Sequence, residues 1–164
     1  MVLRCTRRVL DLLGGRAVTL TELPAAEDDW YLNLLWLDRQ KCLLLTHAGT
    51  LFSVFLAGVR KADLRSIGAC VVKAVAAELC SESLPPDTFG ELNPDAIRLA
   101  PTASRSTLGF MNEMAADLRY RVDAGGLGHS DISALNYDLR RTLHNRGGYV
   151  YPIELVARWL AARA

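Results

Sequence analysis

The sequence predicts an α+β fold: an antiparallel β-meander sheet packed with several α-helices, in a single domain spanning residues 1–164. Three observations carry this expectation. The stretch Trp30–Leu56 reads as three consecutive strands joined by two short turns. Apolar residues recur at helical spacing at Leu64, Ile67, Val71, Val75 and Leu79, and again at Leu108, Met111, Ala115 and Leu118. Hydrophobic residues make up 51% of the chain and charged residues 23%, which supports a sizeable core and argues against disorder.

Taken in order, Val2–Cys5 reads as a short strand. Thr6 then caps a helix over Arg7–Leu13, which Gly14 and Gly15 stop. Arg16–Leu23 alternates weakly and suggests another strand, and Pro24–Asp29 is a loop. Side chains alternate along a strand, so Trp30, Leu32, Leu34 and Trp36 share one face and Tyr31, Asn33, Leu35 and Leu37 the other. Asp38-Arg39-Gln40-Lys41 turns the chain and Cys42–Thr46 returns. His47-Ala48-Gly49-Thr50 turns it again, with Gly49 expected at positive φ, and Leu51–Leu56 is the third strand. Turns this short require antiparallel pairing. Apolar residues on both faces place the block in the middle of the sheet, with helices on both sides or one face against a partner.

A long helix is expected from Lys61 or Ala62 to Cys80, followed by the Pro-containing connector Ser81–Pro94. Ala96–Ala100 is strand-like and Pro101 closes it. Ser104 is placed to cap a helix from Arg105 to Val122. Asp123–Ser130 is a glycine-rich loop, Asp131–His144 is helical, and Pro152 suits the first position of a last helix ending at Ala162.

The net charge of +1 gives no bulk electrostatic argument for nucleic acid or an anionic membrane. Arg outnumbers Lys by 16 to 3, a bias that a GC-rich genome produces as readily as a phosphate-binding role. The cysteines, Cys5, Cys42, Cys70 and Cys80, form no C-x-x-C pair and suit a reducing, cytoplasmic setting. No signal peptide or membrane-spanning run is apparent.

Candidate site residues are the polar exceptions to this pattern. Arg4-Cys5-Thr6-Arg7-Arg8 is the densest basic cluster and opens a helix, where backbone N–H groups attract anions. Arg4 and Thr6 are the candidates there, against a reading as a solvated cap. Cys5 would be either a thiolate of lowered pKa or an inert buried thiol. Arg105 and Ser106 open the second capped helix in the same way. Asn112 falls beside the apolar stripe of that helix, as a tie to the sheet or a ligand contact. Asn33 lies inside a strand and needs a partner, with Thr46 on the paired strand as its expected neighbour. Asp38, Arg39 and Lys41 gather charge at one end of the sheet. With Asn33 and Thr46 they would form one wall of any site. No metal-ligand spacing occurs around His47, His129 or His144, and no cofactor fingerprint is present, so no metal and no cofactor is implied.

Four blocks occur together in a distinctive order. They are Leu3-Arg4-Cys5-Thr6, the meander block Asn33–Thr46, Ser104–Asn112, and Tyr151-Pro152-Ile153-Glu154-Leu155. In this arrangement the chain resembles a family of small uncharacterised bacterial proteins, over nearly its whole length. The resemblance implies a stand-alone bacterial domain and carries no activity, so no functional residue is transferred. Those relatives place a proline just after the segment corresponding to Leu135–Leu143. This chain has Asn145-Arg146-Gly147-Gly148 there, which implies a looser final hairpin.

Three functional readings follow. The first is a non-catalytic binding or protein-interaction module, with a homo-oligomer or protein partner covering an apolar patch. The second is an enzyme or sensor for a phosphorylated or nucleotide ligand held by Arg4, Thr6, Arg105 and Ser106. The third is weak nucleic-acid binding through an Arg-rich face. No membrane association is expected.

Overall fold

The computed structural model describes residues 1–14, 20–123, 125–145 and 147–163. In chain order the elements are β1 (Val2–Cys5), α1 (Arg7–Leu13), β2 (Trp30–Leu37), β3 (Gln40–His47), β4 (Ser53–Leu56), α2 (Lys61–Arg65), α3 (Ile67–Ser81), β5 (Arg98–Pro101), α4 (Arg105–Asp123), α5 (Ile132–Leu139), β6 (His144–Asn145), β7 (Tyr149–Val150) and α6 (Pro152–Ala161). Single 3₁₀ turns occupy Pro94–Ala96 and Leu127–His129.

The meander forms as expected: β2 pairs antiparallel with β3, and β3 with β4. The sheet as a whole is mixed, which corrects the purely antiparallel expectation. Its order is β4-β3-β2-β1-β5, and β1 lies parallel to both β2 and β5. The reason is connectivity. α1 lies between β1 and β2, and α2 and α3 between β4 and β5, and a crossover of that kind returns the chain in the same direction. All of β1 is buried, as suits a strand with parallel neighbours on both sides. The block Trp30–Leu56 is not wholly internal either. β2 is the middle strand, whereas β4 is an edge.

Helices cover both faces. On one face Tyr31, Leu35, Leu44 and Phe55 pack against Phe110, Met111, Met114 and Leu118 of α4 and Leu135 and Leu139 of α5. On the other, Leu3, Trp30, Leu32, Leu43 and Leu45 meet Val9 and Leu10 of α1, Val71, Val75 and Leu79 of α3, and Val156 of α6. Burial of these side chains is the main driving force for assembling the layers.

Two turns deviate from expectation. The β2–β3 connection is two residues long, with Asp38 at φ 46° and Arg39 at φ 62°. That conformation suits a hairpin but ordinarily selects Asn-Gly. Its cost is offset by Asp38 Oδ2, which accepts a 3.1 Å hydrogen bond from the Leu127 amide. In the β3–β4 connection the positive φ falls on Leu51 (58°), not on Gly49. Gly49 is required by close approach instead, because a Cβ there would lie 2.7 Å from the Trp159 ring and 3.0 Å from the Glu27 carbonyl oxygen.

Several boundaries move. The helix expected from Lys61 to Cys80 is broken at Ser66 (φ −116°, ψ 47°), which ends α2 and begins α3. The helix expected over Asp131–His144 is shorter, because the chain leaves α5 after Leu139 and enters the β6–β7 hairpin. Residues 15–19, which include half of the strand expected over Arg16–Leu23, lie outside the described residues, and Leu20–Leu23 is not in a strand. No helix among the described residues is long and apolar enough to cross a membrane.

Candidate functional site

Arg4 projects from β1, is 1% exposed, and makes four hydrogen bonds. Its Nε donates to Asp29 Oδ2 at 2.5 Å, and its remaining nitrogens donate to the carbonyls of Leu23 (2.9 Å), Pro24 (2.7 Å) and Pro101 (3.2 Å). Asp29 Oδ2 also accepts from the Ala26 amide at 2.9 Å. The guanidinium therefore ties β1 to the loop before β2 and to the end of β5, with four of its five N–H groups spent on protein groups. Its neighbour Cys5 is no activated nucleophile. Burial pushes that thiol up to about 12, the reverse of a helix-terminus thiolate.

The other sequence candidates separate into small groups. Thr6 donates to Asn33 Oδ1 at 3.2 Å across the β1–β2 junction, so Asn33 is paired with Thr6. Thr46 is not its neighbour. It lies opposite Tyr31 and is buried against the Ser53 hydroxyl at 2.9 Å. Lys41 places its ammonium 5.3 Å from the centroid of the half-exposed Trp36 ring, and Arg39 is exposed at the hairpin tip. Ser104 caps α4 by accepting from the Thr107 amide at 3.1 Å. Arg105, Ser106 and Asn112 are exposed on α4, so Asn112 is neither a buried amide nor a tie to the sheet. Arg4, Thr6, Arg105 and Ser106 do not share a set of hydrogen bonds among the described residues, and Arg4 is committed to Asp29 and three main-chain carbonyls.

A different constellation lies at the outer edge of β4. Asn136 of α5 accepts from the Phe55 amide (2.6 Å) and donates to the Phe55 carbonyl (3.0 Å). Arg140, one helical turn on, donates to the Ser53 carbonyl at 3.4 Å. Residues i and i+4 of a helix rise by about 6 Å, close to the spacing of about 6.7 Å between alternate strand residues. Two side chains of α5 thus supply hydrogen bonds that a further strand would have made. This blunts an edge that otherwise invites pairing with another chain.

The clip is neutralised by two carboxylates of α3, also four residues apart. Glu78 Oε1 accepts from Asn136 at 3.1 Å, and its Oε2 pairs with Arg140 at 2.9 Å. Glu82 Oε1 accepts from Arg140 Nε at 2.7 Å, while Arg141 reaches both oxygens, at 2.9 and 2.7 Å. The hydrogen bonds from Arg141 and Arg140 outweigh burial and hold the Glu82 carboxyl below its usual range. Sequence reading missed this network. The available signal was the matched spacing of Glu78 and Glu82 on one helix with Asn136 and Arg140 on another.

Beside the clip, α3, α5 and the outer edge of β4 enclose a cleft of about 450 Å³. Phe55, Leu56, Ala74, Ala77 and Ile132 give it apolar walls, and Asp63, Cys70, Lys73, Glu78 and Asn136 add polar groups. Most of these polar groups are committed. Glu78 and Asn136 belong to the clip, and Asp63 accepts from the Arg60 amide at 2.7 Å. The Cys70 thiol is raised by burial and by Asp63, with Lys73 opposing. Lys73 is exposed and makes no ion pair among the described residues. A larger hollow of about 610 Å³ lies near the starts of β1 and β5. Two of its three acidic residues, Asp28 and Asp29, are already paired with Arg163 and Arg4, the third being Glu91. Among the described residues no three His, Cys, Asp or Glu side chains cluster closely enough to hold a metal ion.

No curated protein matches the chain. One family model does match, described as "Domain of unknown function (DUF6933)", and it spans residues 2–155 from β1 into α6, including the β4 clip and the cleft beside it. On that match, which covers nearly the whole sheet-and-helix architecture, the chain belongs to the DUF6933 family of domains of unknown function.

Proposed function

We propose that the protein is a non-catalytic binding module, and that its cleft between α3, α5 and β4 takes an amphipathic ligand with an apolar body and an anionic end. The carrying observation is the chemistry of that cleft. It is concave and largely apolar, and Lys73 is a cation at its edge with no carboxylate partner. A catalytic reading has less support there, because the polar groups beside Lys73 serve as structural partners and the Cys70 thiol is held protonated by burial.

The test uses 8-anilinonaphthalene-1-sulfonate, an aromatic body carrying one anion. The native protein, checked by near-UV circular dichroism to exclude a loosened core, binds the dye at one saturable site with a blue-shifted emission. Lys73→Glu weakens binding by about tenfold, corresponding to roughly 1.4 kcal/mol. Ala77→Trp fills the cleft and removes the signal. Absent binding, or binding unchanged in both variants, overturns the reading.

A further inference from the structure

A second pocket stands apart from the cleft, on the face of the sheet covered by α4. It has a volume of about 180 Å³ and is lined by Tyr31, Ser104, Thr107, Ala26, Ala48 and Glu27. Tyr31 is 0% exposed, and its hydroxyl has no hydrogen-bond partner among the described residues. Leaving such a group unpaired costs roughly 1–3 kcal/mol. The surroundings of the oxygen say what is missing. Burial raises the Tyr31 pKa and the Asp29 carboxylate adds to it, while the positive charge of Arg4 and the amides of Ala103 and Ser104 draw it back. Those amides approach the oxygen without closing a hydrogen bond, and amides only donate. The phenolic proton therefore faces donors and lacks an acceptor.

The same end of α4 supplies further donors. The first amides of a helix have no partner within it, and they carry the positive end of its dipole. Ser104 satisfies the Thr107 amide, and its own hydroxyl accepts from Thr107 Oγ1 at 3.0 Å. α4 runs for 19 residues, so its dipole is well developed. Three features thus coincide: a buried phenol with an unused proton, the positive dipole end of a long helix, and a small pocket lined by Tyr31 and Ser104.

We propose that this pocket binds the oxyanion group, carboxylate or phosphate, of a small ligand, with the Tyr31 hydroxyl donating to one oxygen and the Ser104 amide to another. Glu27 lines the pocket and opposes an anion there, as does Asp29, whose charge Arg4 offsets, so removal of the Glu27 charge raises affinity. This site is independent of the cleft beside β4, so each reading stands or falls alone.

The experiment is a titration of the ¹⁵N-labelled protein with sodium acetate and, separately, sodium phosphate at constant ionic strength, with chloride as control. One of the two anions produces saturable shifts at the amides of residues 103–107, and which one does so identifies the source. Tyr31→Phe weakens that binding about tenfold or more, the range of one charge-assisted hydrogen bond. In the absence of anion the same variant melts at an unchanged or higher temperature, because an unpaired hydroxyl has been removed. Ala26→Leu blocks the pocket without touching the tyrosine and abolishes the shifts, whereas Glu27→Gln tightens binding. No saturable shift with either anion overturns the proposal. So do equal shifts in Tyr31→Phe, or a clear fall in its melting temperature, which would show that the hydroxyl already has a structural partner.

Discussion

Arg4 and Arg140 are each 1% exposed, yet they are neutralised in different ways. Arg4 meets a single carboxylate, Asp29, and main-chain carbonyls from the loop before β2 and the end of β5. Arg140 meets two carboxylates on α3 and one strand carbonyl, and its guanidinium also lies 5.1 Å from the Phe52 ring centroid. The backbone acceptors of Arg4 hold the loop before β2 against the end of β5, so Arg4 is part of the frame. The charged acceptors around Arg140 are side chains, and two of the residues in that network, Glu78 and Asn136, also line the cleft. Depth of burial is equal in the two cases, and both networks border open space: Leu23, Pro24 and Asp29 line the larger hollow, and Glu78 and Asn136 the cleft beside β4.

The largest effect expected from this contrast is at Arg4. Arg4→Met leaves Asp29 buried without its counter-charge and removes the hydrogen bonds to Leu23, Pro24 and Pro101, for a loss of about 3–5 kcal/mol in urea unfolding. Arg4→Met combined with Asp29→Leu recovers part of that loss. Equal stability of Arg4→Met and wild type would refute the frame role.

Asn136→Leu comes next, at about 2–4 kcal/mol, because it strands the amide and carbonyl of Phe55 at an edge strand. It also exposes the edge to pairing, so the variant sediments as larger species at concentrations where Arg4 variants remain monodisperse. Monodisperse Asn136→Leu would argue that the clip does not guard the edge.

The two regions separate by pH as well. Cys5, beside Arg4, has its pKa raised from 9.0 to about 12. As pH rises from 9 the unfolded chain releases this proton while the folded chain keeps it, so stability is lost on the alkaline side, by on the order of 1–2 kcal/mol near pH 10. Cys5→Ala removes that component. Glu82, in the β4 clip, has its pKa lowered from 4.5. Here the stabilising contribution is complete above 4.5 and is lost as pH falls through the lower folded value, and Glu82→Gln flattens this acid limb. The acid limb is the smaller effect, since Arg141 is partly open to solvent. An alkaline limb unchanged in Cys5→Ala, or an acid limb unchanged in Glu82→Gln, would dissolve the pairing of each limb with its region.

Much of the fold was legible in the chain. The alternation in Trp30–Leu37 and the short turns sufficed for the meander, and Ser104 and Pro152 marked true helix starts. The sites were less legible. Arg4 stood out as a cation at a helix start, which is a statement about sequence neighbours. Its actual partners lie 19 to 97 residues away. Asn33 signalled that it needed a partner without indicating which, and the register gave it Thr6 instead of Thr46. Asn136 carried no local mark, because its partner is the backbone of a strand 81 residues earlier.

What the sequence determined by itself is whatever depends on periodicity and on neighbours a few residues apart: the strands of the meander, the amphipathic helices, the caps, and a core large enough to be covered on both faces. Tertiary structure alone decided where β1 sits, that the sheet is mixed, and that β4 is an edge held by α5. It also decided which polar residues are spent and which face a cavity. The physical reason is that hydrophobic burial is non-directional and leaves its record in local pattern, whereas hydrogen bonds and ion pairs are directional and close only when distant segments arrive in register.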